Sequence, residues 1–178
     1  MQADQVQTNF ICSPSHDPWF NLALEEFLLN RVSARQIILY LWQNDNTVVI
    51  GRNQNAWKEC DWNLLEREGG KLARRLSGGG AVYHDLGNLN FTFLMDKKFY
   101  DLGTQLQVIL KALASLGIKA EASGRNDLAV RGRKFSGNAF YFQGEAAYHH
   151  GTLLVNSDFT KLSRYLKVSA AKISSKGI

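Results

Sequence analysis

The sequence predicts an α+β fold with a mixed, mainly antiparallel sheet and flanking helices. Strand-like runs come in groups with helices between them, not in regular β-α-β alternation. The glycines lack GxGxxG spacing, and the segment after the glycine triplet, Ala81-Val82-Tyr83, is itself strand-like, which argues against a Rossmann domain. No GxxxxGK[ST] run occurs, which argues against a P-loop as well.

Val6 to Cys12 alternates loosely and reads as the first strand. Asp17-Pro18 offers an N-cap followed by proline at the first helical position, so a helix is expected from Pro18 to about Arg31. Gln36 to Trp42 and Thr47 to Gly51 are β-rich runs joined by Gln43-Asn44-Asp45-Asn46, which reads as a hairpin. Asp61 to Glu68 is a short helix closed by Gly69-Gly70. Lys71 to Leu76 and Ala81 to Tyr83 are strands around the glycine loop. Asn88 to Met95 alternates, with Leu89, Phe91 and Phe93 on one face and Asn90 and Thr92 on the other. Leu102, Leu106, Ile109, Leu110, Leu113 and Leu116 mark an amphipathic helix from Asp101 to Leu116, ended by Gly117. Ile118 to Ala122, Asp127 to Val130, Lys134 to Tyr141 and Ala146 to Asn156 are further strands, with Arg131-Gly132-Arg133 as a tight turn. Phe159 to Leu166 is a last short helix, and the stretch from Lys167 onward has no core pattern.

A chain of 178 residues fits one domain. Hydrophobic content of 45% and charged content of 21% are ordinary globular values. No apolar run approaches the ~20 residues of a membrane span, and the polar start Met1-Gln2-Ala3-Asp4-Gln5 is not a secretory signal. A cytoplasmic protein with no membrane partner is expected. Cys12 and Cys60 have neither disulfide-framework nor zinc spacing and are expected to be reduced, semi-buried thiols. Trp19, Trp42, Trp57 and Trp62 are expected to be buried or half-buried. The net charge of +5 favours anionic partners. The basic residues are dispersed, and the aromatics follow core periodicity, so a small anion site is favoured over nucleic acid.

Arg74-Arg75-Leu76-Ser77-Gly78-Gly79-Gly80-Ala81-Val82-Tyr83-His84-Asp85 is the most informative segment. Three glycines let backbone N–H groups come close to a ligand, and two arginines beside them can pair with carboxylate or phosphate. The other reading is a glycine-rich turn with charged flanks. Two more polar clusters follow, Gly124-Arg125-Asn126-Asp127 and Lys134-Phe135-Ser136-Gly137-Asn138-Ala139, then His149-His150-Gly151. Together they supply anion donors, a carboxylate, an amide and a lysine, the set needed to adenylate a carboxylic acid. Lys134 is either that cation or a solvated surface charge. Asp127 either holds Mg2+ or caps a turn. His84-Asp85 is either an acid/base pair or a turn-stabilising pair. His149 and His150, adjacent on a strand, point to opposite faces, so at most one enters a given pocket.

These segments, with Asp17-Pro18-Trp19-Phe20-Asn21-Leu22-Ala23, Thr47-Val48-Val49-Ile50-Gly51-Arg52 and His149-His150-Gly151-Thr152-Leu153-Leu154, resemble the bacterial lipoate–protein ligase family over nearly the whole chain. The resemblance implies the catalytic α+β domain shared by biotin– and lipoate–protein ligases. It implies activation of lipoic acid by ATP to lipoyl-adenylate, with release of pyrophosphate. The lipoyl group then passes to a lysine on lipoyl domains of 2-oxoacid dehydrogenase E2 subunits or on the glycine-cleavage H protein. By the same resemblance Lys134 is the catalytic lysine, contacting the lipoyl carbonyl and the α-phosphate. Trp42, Arg75, Ser77, Gly79, Ala139 and His150 border the lipoyl group. Gly80, Ala81, Val82, Tyr83, His84, Asn88 and Asn126 hold the nucleotide, with Asp127 at Mg2+. Residues 1–178 are expected to form one such domain, incomplete at its C-terminal end and without the family's accessory domain. A cofactorless octanoyl- or lipoyl-transferase would need a cysteine thioester, yet neither cysteine falls in the motif loops. A non-catalytic fragment that binds lipoate or nucleotide is the remaining alternative.

Overall fold

A computed structural model describes residues 6–124 and 127–167. The larger of its two sheets has seven strands in the order β1-β2-β6-β10-β9-β8-β7. They are β1 (Gln7–Cys12), β2 (Gln36–Trp42), β6 (Asn88–Asp96), β10 (Ala146–Leu154), β9 (Arg133–Gln143), β8 (Asp127–Val130) and β7 (Glu121–Ser123). Only β1 and β2 run parallel; the other neighbours in this sheet are antiparallel. The smaller sheet places β3 (Thr47–Ile50) between β4 (Lys71–Arg74), parallel to it, and β5 (Val82–His84), antiparallel. The expected mixed, mainly antiparallel α+β architecture is therefore present.

The expected hairpin of β2 and β3 is absent, because the two strands lie in different sheets. Their connection is a crossover held by buried polar bonds. Asn44 is fully buried; its Oδ1 accepts from Asn21 Nδ2 at 2.9 Å, and its Nδ2 lies 3.2 Å from His84 Nδ1. An asparagine that would sit in solvent at a hairpin turn is here drawn inside by tertiary partners. β3 is buried along its whole length, as befits a central strand covered on both faces.

α1 (Pro18–Arg31) starts as expected: Asp17 accepts from the backbone N–H groups of Trp19 and Phe20. It turns Asn21, Glu25, Leu28 and Leu29 inward and leaves Trp19, Phe20 and Phe27 exposed. Leu28 and Leu29 join Ile38, Tyr40, Trp42, Leu94 and Tyr148 in one core. On the opposite face of the large sheet, α4 (Leu102–Ser115), capped by Asp101, buries Leu106 and Ile109 against Phe91, Phe93, Met95 and Leu128. β6 is therefore covered on both faces, and the residues read as its polar face, Asn90 and Thr92, are buried. A third core packs Val48, Ile50 and Tyr83 of the small sheet against Leu65 of α3 (Trp62–Arg67) and Tyr165 of α5 (Phe159–Tyr165). Burying each such large side chain stabilises the fold by about 1.5–3 kcal/mol.

Smaller differences have local causes. Ala56–Glu59 forms an extra turn, α2, capped by the Asn55 side chain. β4 stops at Arg74, before the expected Leu76, because Arg75 turns into the glycine loop. The strand expected at Ile118 to Ala122 is Glu121–Ser123, since Gly117 at φ +78 only ends α4 and the chain needs several residues to reach β8. Trp19 (56%) and Trp57 (67%) are exposed, against expectation: Trp19 stacks under Lys71 rather than entering a core. Cys12 is exposed on the edge strand and Cys60 is buried, so neither is half-buried as expected; both are free thiols. Among the described residues, no helix is long and apolar enough to cross a membrane.

Candidate functional site

The two sheets face each other across a cavity of about 280 Å3. The small sheet and its loop supply Val49, Gly79 to Val82 and His84. The large sheet supplies Trp42 from β2, Asn90 from β6, Lys134, Gly137, Asn138 and Ala139 from β9 and His150 to Thr152 from β10, with Asp127 at the start of β8.

Arg75 shapes the glycine loop from within. It is 8% exposed and donates from Nε to Ser77 Oγ (3.1 Å), from Nη1 to Val49 O (3.1 Å), and from Nη2 to Gly78 O (2.8 Å) and Gly80 O (2.7 Å). Burial lowers its pKa from the usual arginine value. The loop also rests on Gly51, where a Cβ would stand 2.2 Å from Gly79 O. Gly79 itself has φ +95, a conformation that favours glycine. Arg74 does not line the cavity. Its Nη1 donates to the carbonyls of Gly51, Arg52 and Gln54, so the expected pair of anion-facing arginines reduces to Arg75.

A buried polar network lies behind the opposite wall. Trp42 Nε1 donates to Thr92 Oγ1 (3.0 Å), and Thr92 Oγ1 donates to Glu25 Oε1 (2.6 Å). The same oxygen is 2.9 Å from His150 Nδ1, and His150 Nε2 is 2.8 Å from Ser77 Oγ. Glu25 is 2% exposed. At the mouth, Lys134 Nζ meets Asp127 Oδ1 at 2.8 Å with both side chains partly exposed. Gly137 lies beside this lysine: a Cβ there would meet its Nζ at 3.4 Å, an ordinary van der Waals contact.

Of the residues proposed for the lipoyl group, Trp42, Arg75, Gly79, Ala139 and His150 line the cavity, while Ser77 is fully buried behind His150. Of those proposed for the nucleotide, Gly80, Ala81, Val82, His84 and Lys134 line it. Tyr83 does not. On β5 its ring alternates to the other face, packs on Tyr165 and donates to Asn46 Oδ1. Asn88 is fully buried and donates from Nδ2 to Asn90 Oδ1, so Asn90 presents that pair to the cavity. Asp127 lines the cavity as an ion-pair partner. Asn126 lies outside the described residues. The two histidines divide as expected. His150 faces the cavity, and His149 stacks on Phe93 beneath the other face, near Asn138 Oδ1. Sequence reasoning missed Glu25, Thr92, Asn90 and Thr152. For Glu25 there was a signal, a carboxylate on the inward stripe of α1.

Burial pushes His84 down to about 3, with nearby Arg75 adding to the effect. Burial also pushes His149 down to about 3. Both rings are therefore neutral in the fold at pH values where the unfolded chain protonates them. The unfolded state binds more protons between about pH 6.5 and 3, so stability is lost as pH falls through that window. Each ring contributes a slope approaching about 1.4 kcal/mol per pH unit. Urea midpoints at pH 7.5, 6 and 5 should fall steadily, and His149→Gln should remove about half of the slope. A flat profile from pH 7.5 to 5 would contradict the burial of these rings.

Residues 17–178 match the family model for the lipoyl protein ligase A/B catalytic domain. A lipoate-protein ligase A of Blochmanniella floridana is 50% identical over 177 residues, which is 97% of this chain and 52% of that protein. The chain is similar to P. falciparum LipL1 in complex with lipoate (TM-score 0.83, 37% identity, 94% of this chain and 54% of that one). It is also similar to a lipoate-protein ligase A bound with ATP (TM-score 0.81, 28% identity, 95% and 74%). A third similar structure is a bipartite lipoate protein ligase with its E2 lipoyl domain from Thermoplasma acidophilum (TM-score 0.77, 29% identity, 97% and 70%). The chain spans about half the length of the first two of these proteins.

Proposed function

The chain belongs to the lipoyl protein ligase A/B catalytic domain family, and on that premise we propose that it binds lipoic acid and ATP and joins them as lipoyl-adenylate. The observation that carries this reading is one cavity lined both by an indole and by amide and ammonium donors. Trp42 gives the cavity an apolar wall, while the glycine loop and Lys134 give it amide and ammonium donors. The acyl chain lies against Trp42 and His150, and its carboxylate faces Lys134. Lys134 leaves Asp127 to meet the α-phosphate, where charge grows during attack by the lipoyl carboxylate. The backbone of Gly79 to Val82 cradles the nucleotide, with Asn90 and neutral His84 beside it. Pyrophosphate departs, and the adenylate stays enclosed between the sheets until an acceptor lysine attacks.

Asp127 is the carboxylate on the cavity wall, and the described residues hold no cluster of three or more metal-ligating side chains. This donor set fits Mg2+, which keeps water and phosphate oxygens as most of its ligands. Asp127 would hold the ion, which would neutralise phosphate charge. The proposed acceptors are lipoyl domains of E2 subunits and the glycine-cleavage H protein. The relative that carries its E2 lipoyl domain supports the first of these.

Lipoate-dependent exchange of pyrophosphate into ATP, paired with the intact mass of a lipoyl domain after incubation, tests the proposal. Exchange with mass gain is the expected result. Exchange alone would confine this chain to activation. Neither signal would leave the binding-only alternative, which the half-length match keeps open. A cysteine-based acyl transferase is disfavoured, because neither thiol lines the cavity and burial pushes Cys60 up to about 11.

Trp42→Val should admit bulkier carboxylic acids, since the indole is 4% exposed and walls the cavity. A size series of acids in the exchange assay reads this directly. Unchanged selectivity would remove Trp42 from the acyl wall.

A further inference from the structure

The geometry points to Glu25 as a positioning residue: it fixes the proton of His150 on Nδ1 and thereby orders a buried relay from Trp42 to the glycine loop. This role rests on the lipoate-binding reading above and deepens it. Glu25 does not line the cavity; it borders a separate recess under α1 and touches no ligand-facing space of the site.

With Glu25 ionised and His150 neutral, the states this role supposes, the direction of each hydrogen bond in the relay follows from what each group can do. An indole N–H only donates, so Thr92 Oγ1 accepts from Trp42 and must spend its one hydrogen on Glu25 Oε1. An ionised carboxylate only accepts, so the contact of the same oxygen with His150 Nδ1 at 2.9 Å requires the proton on Nδ1. The neutral ring then has a bare Nε2, which accepts from Ser77 Oγ at 2.8 Å. With its hydrogen turned to His150, Ser77 offers a lone pair to Arg75 Nε at 3.1 Å. Arg75 completes the path by holding the carbonyls of Gly78 and Gly80. One carboxylate oxygen thus sets two cavity walls at once, the indole and imidazole on one side and the glycine loop on the other.

Without that acceptor, His150 can place its proton on Nε2. Ser77 must then turn its hydrogen away from His150, and Gly78 O, an alternative acceptor, is 3.5 Å distant. The fully buried Ser77 is left poorly satisfied. A glutamine in place of Glu25 would keep a neutral oxygen acceptor of the same shape, whereas leucine would keep the volume and remove the acceptor.

The test is long-range 1H–15N correlation of the His150 ring at pH 8 in the wild type, Glu25→Leu and Glu25→Gln, with calorimetric titration of lipoic acid into each. The wild type should show neutral His150 protonated on Nδ1. Glu25→Leu should populate the Nε2–H form and weaken lipoic acid binding by about tenfold. Glu25→Gln should retain Nδ1–H and bind within about threefold of wild type. A wild-type ring protonated on Nε2 alone, or on both nitrogens, overturns the inference. So does Glu25→Leu with an unchanged tautomer. If Glu25→Leu does not fold, the wild-type spectrum still decides. A wild type that shows Nδ1–H but binds no lipoic acid would sink the functional reading while leaving the control of His150 by Glu25 intact.

Discussion

Lys134→Ala should lower lipoyl-adenylate formation by roughly 100- to 1,000-fold while changing lipoic acid affinity only a few fold. An ammonium aimed at developing phosphate charge stabilises the transition state more than the ground state, so the loss belongs in the rate. The side chain is about half exposed and pairs with Asp127 at 2.8 Å, so truncation takes nothing from the core. Pyrophosphate exchange gives the rate and calorimetry gives the affinity. Equal losses in both would contradict the assigned role. A melting temperature within a degree or two of wild type should accompany the variant, because exposed ion pairs contribute little.

Arg75→Met should have the opposite profile, a large loss of stability. The guanidinium is buried and satisfies the carbonyls of Val49, Gly78 and Gly80 together with Ser77 Oγ. Methionine leaves these acceptors without partners at about 1–3 kcal/mol each, not fully additive, so a loss of about 3 kcal/mol or more is expected. Urea unfolding monitored by tryptophan fluorescence measures it. Arg75→Lys should recover less than half, since a single ammonium cannot reproduce the planar fork that reaches Val49 on one side and the loop on the other. A loss below about 1 kcal/mol would show that the loop holds its shape without the arginine. The contrast between the two variants separates a cation held for chemistry from one held for architecture, although both stand on the same cavity.

Much of this was readable from local rules. Asp17 before Pro18 and Asp101 before α4 cap their helices as such residues do, because the bond runs to backbone only two or three residues away. The alternation rule separated His149 from His150 for an equally local reason. What failed was whatever depended on distant partners. Asn44 looks like a turn residue until Asn21 and His84 come to it from elsewhere in the chain. Tyr83 sits within a motif that faces the cavity, yet strand pleat sends its ring to the other core. Arg74 and Arg75 are equivalent in a string of letters, and the fold gives Arg74 the carbonyls of the turn at residues 51–54 and Arg75 those of the glycine loop.

The sequence by itself determined the element types, the α+β class, the family and most of the residues that meet in the cavity. These follow from spacing, capping and motif chemistry, all carried over short stretches of chain. The tertiary structure alone decided which strands share a sheet, and that Glu25, Thr92, His150 and Ser77 form one buried network. Glu25 and His150 are 125 positions apart, and no local pattern ties a helix carboxylate to an imidazole across that distance. Burial makes the pairing compulsory, since a carboxylate removed from water must find donors wherever the fold brings them.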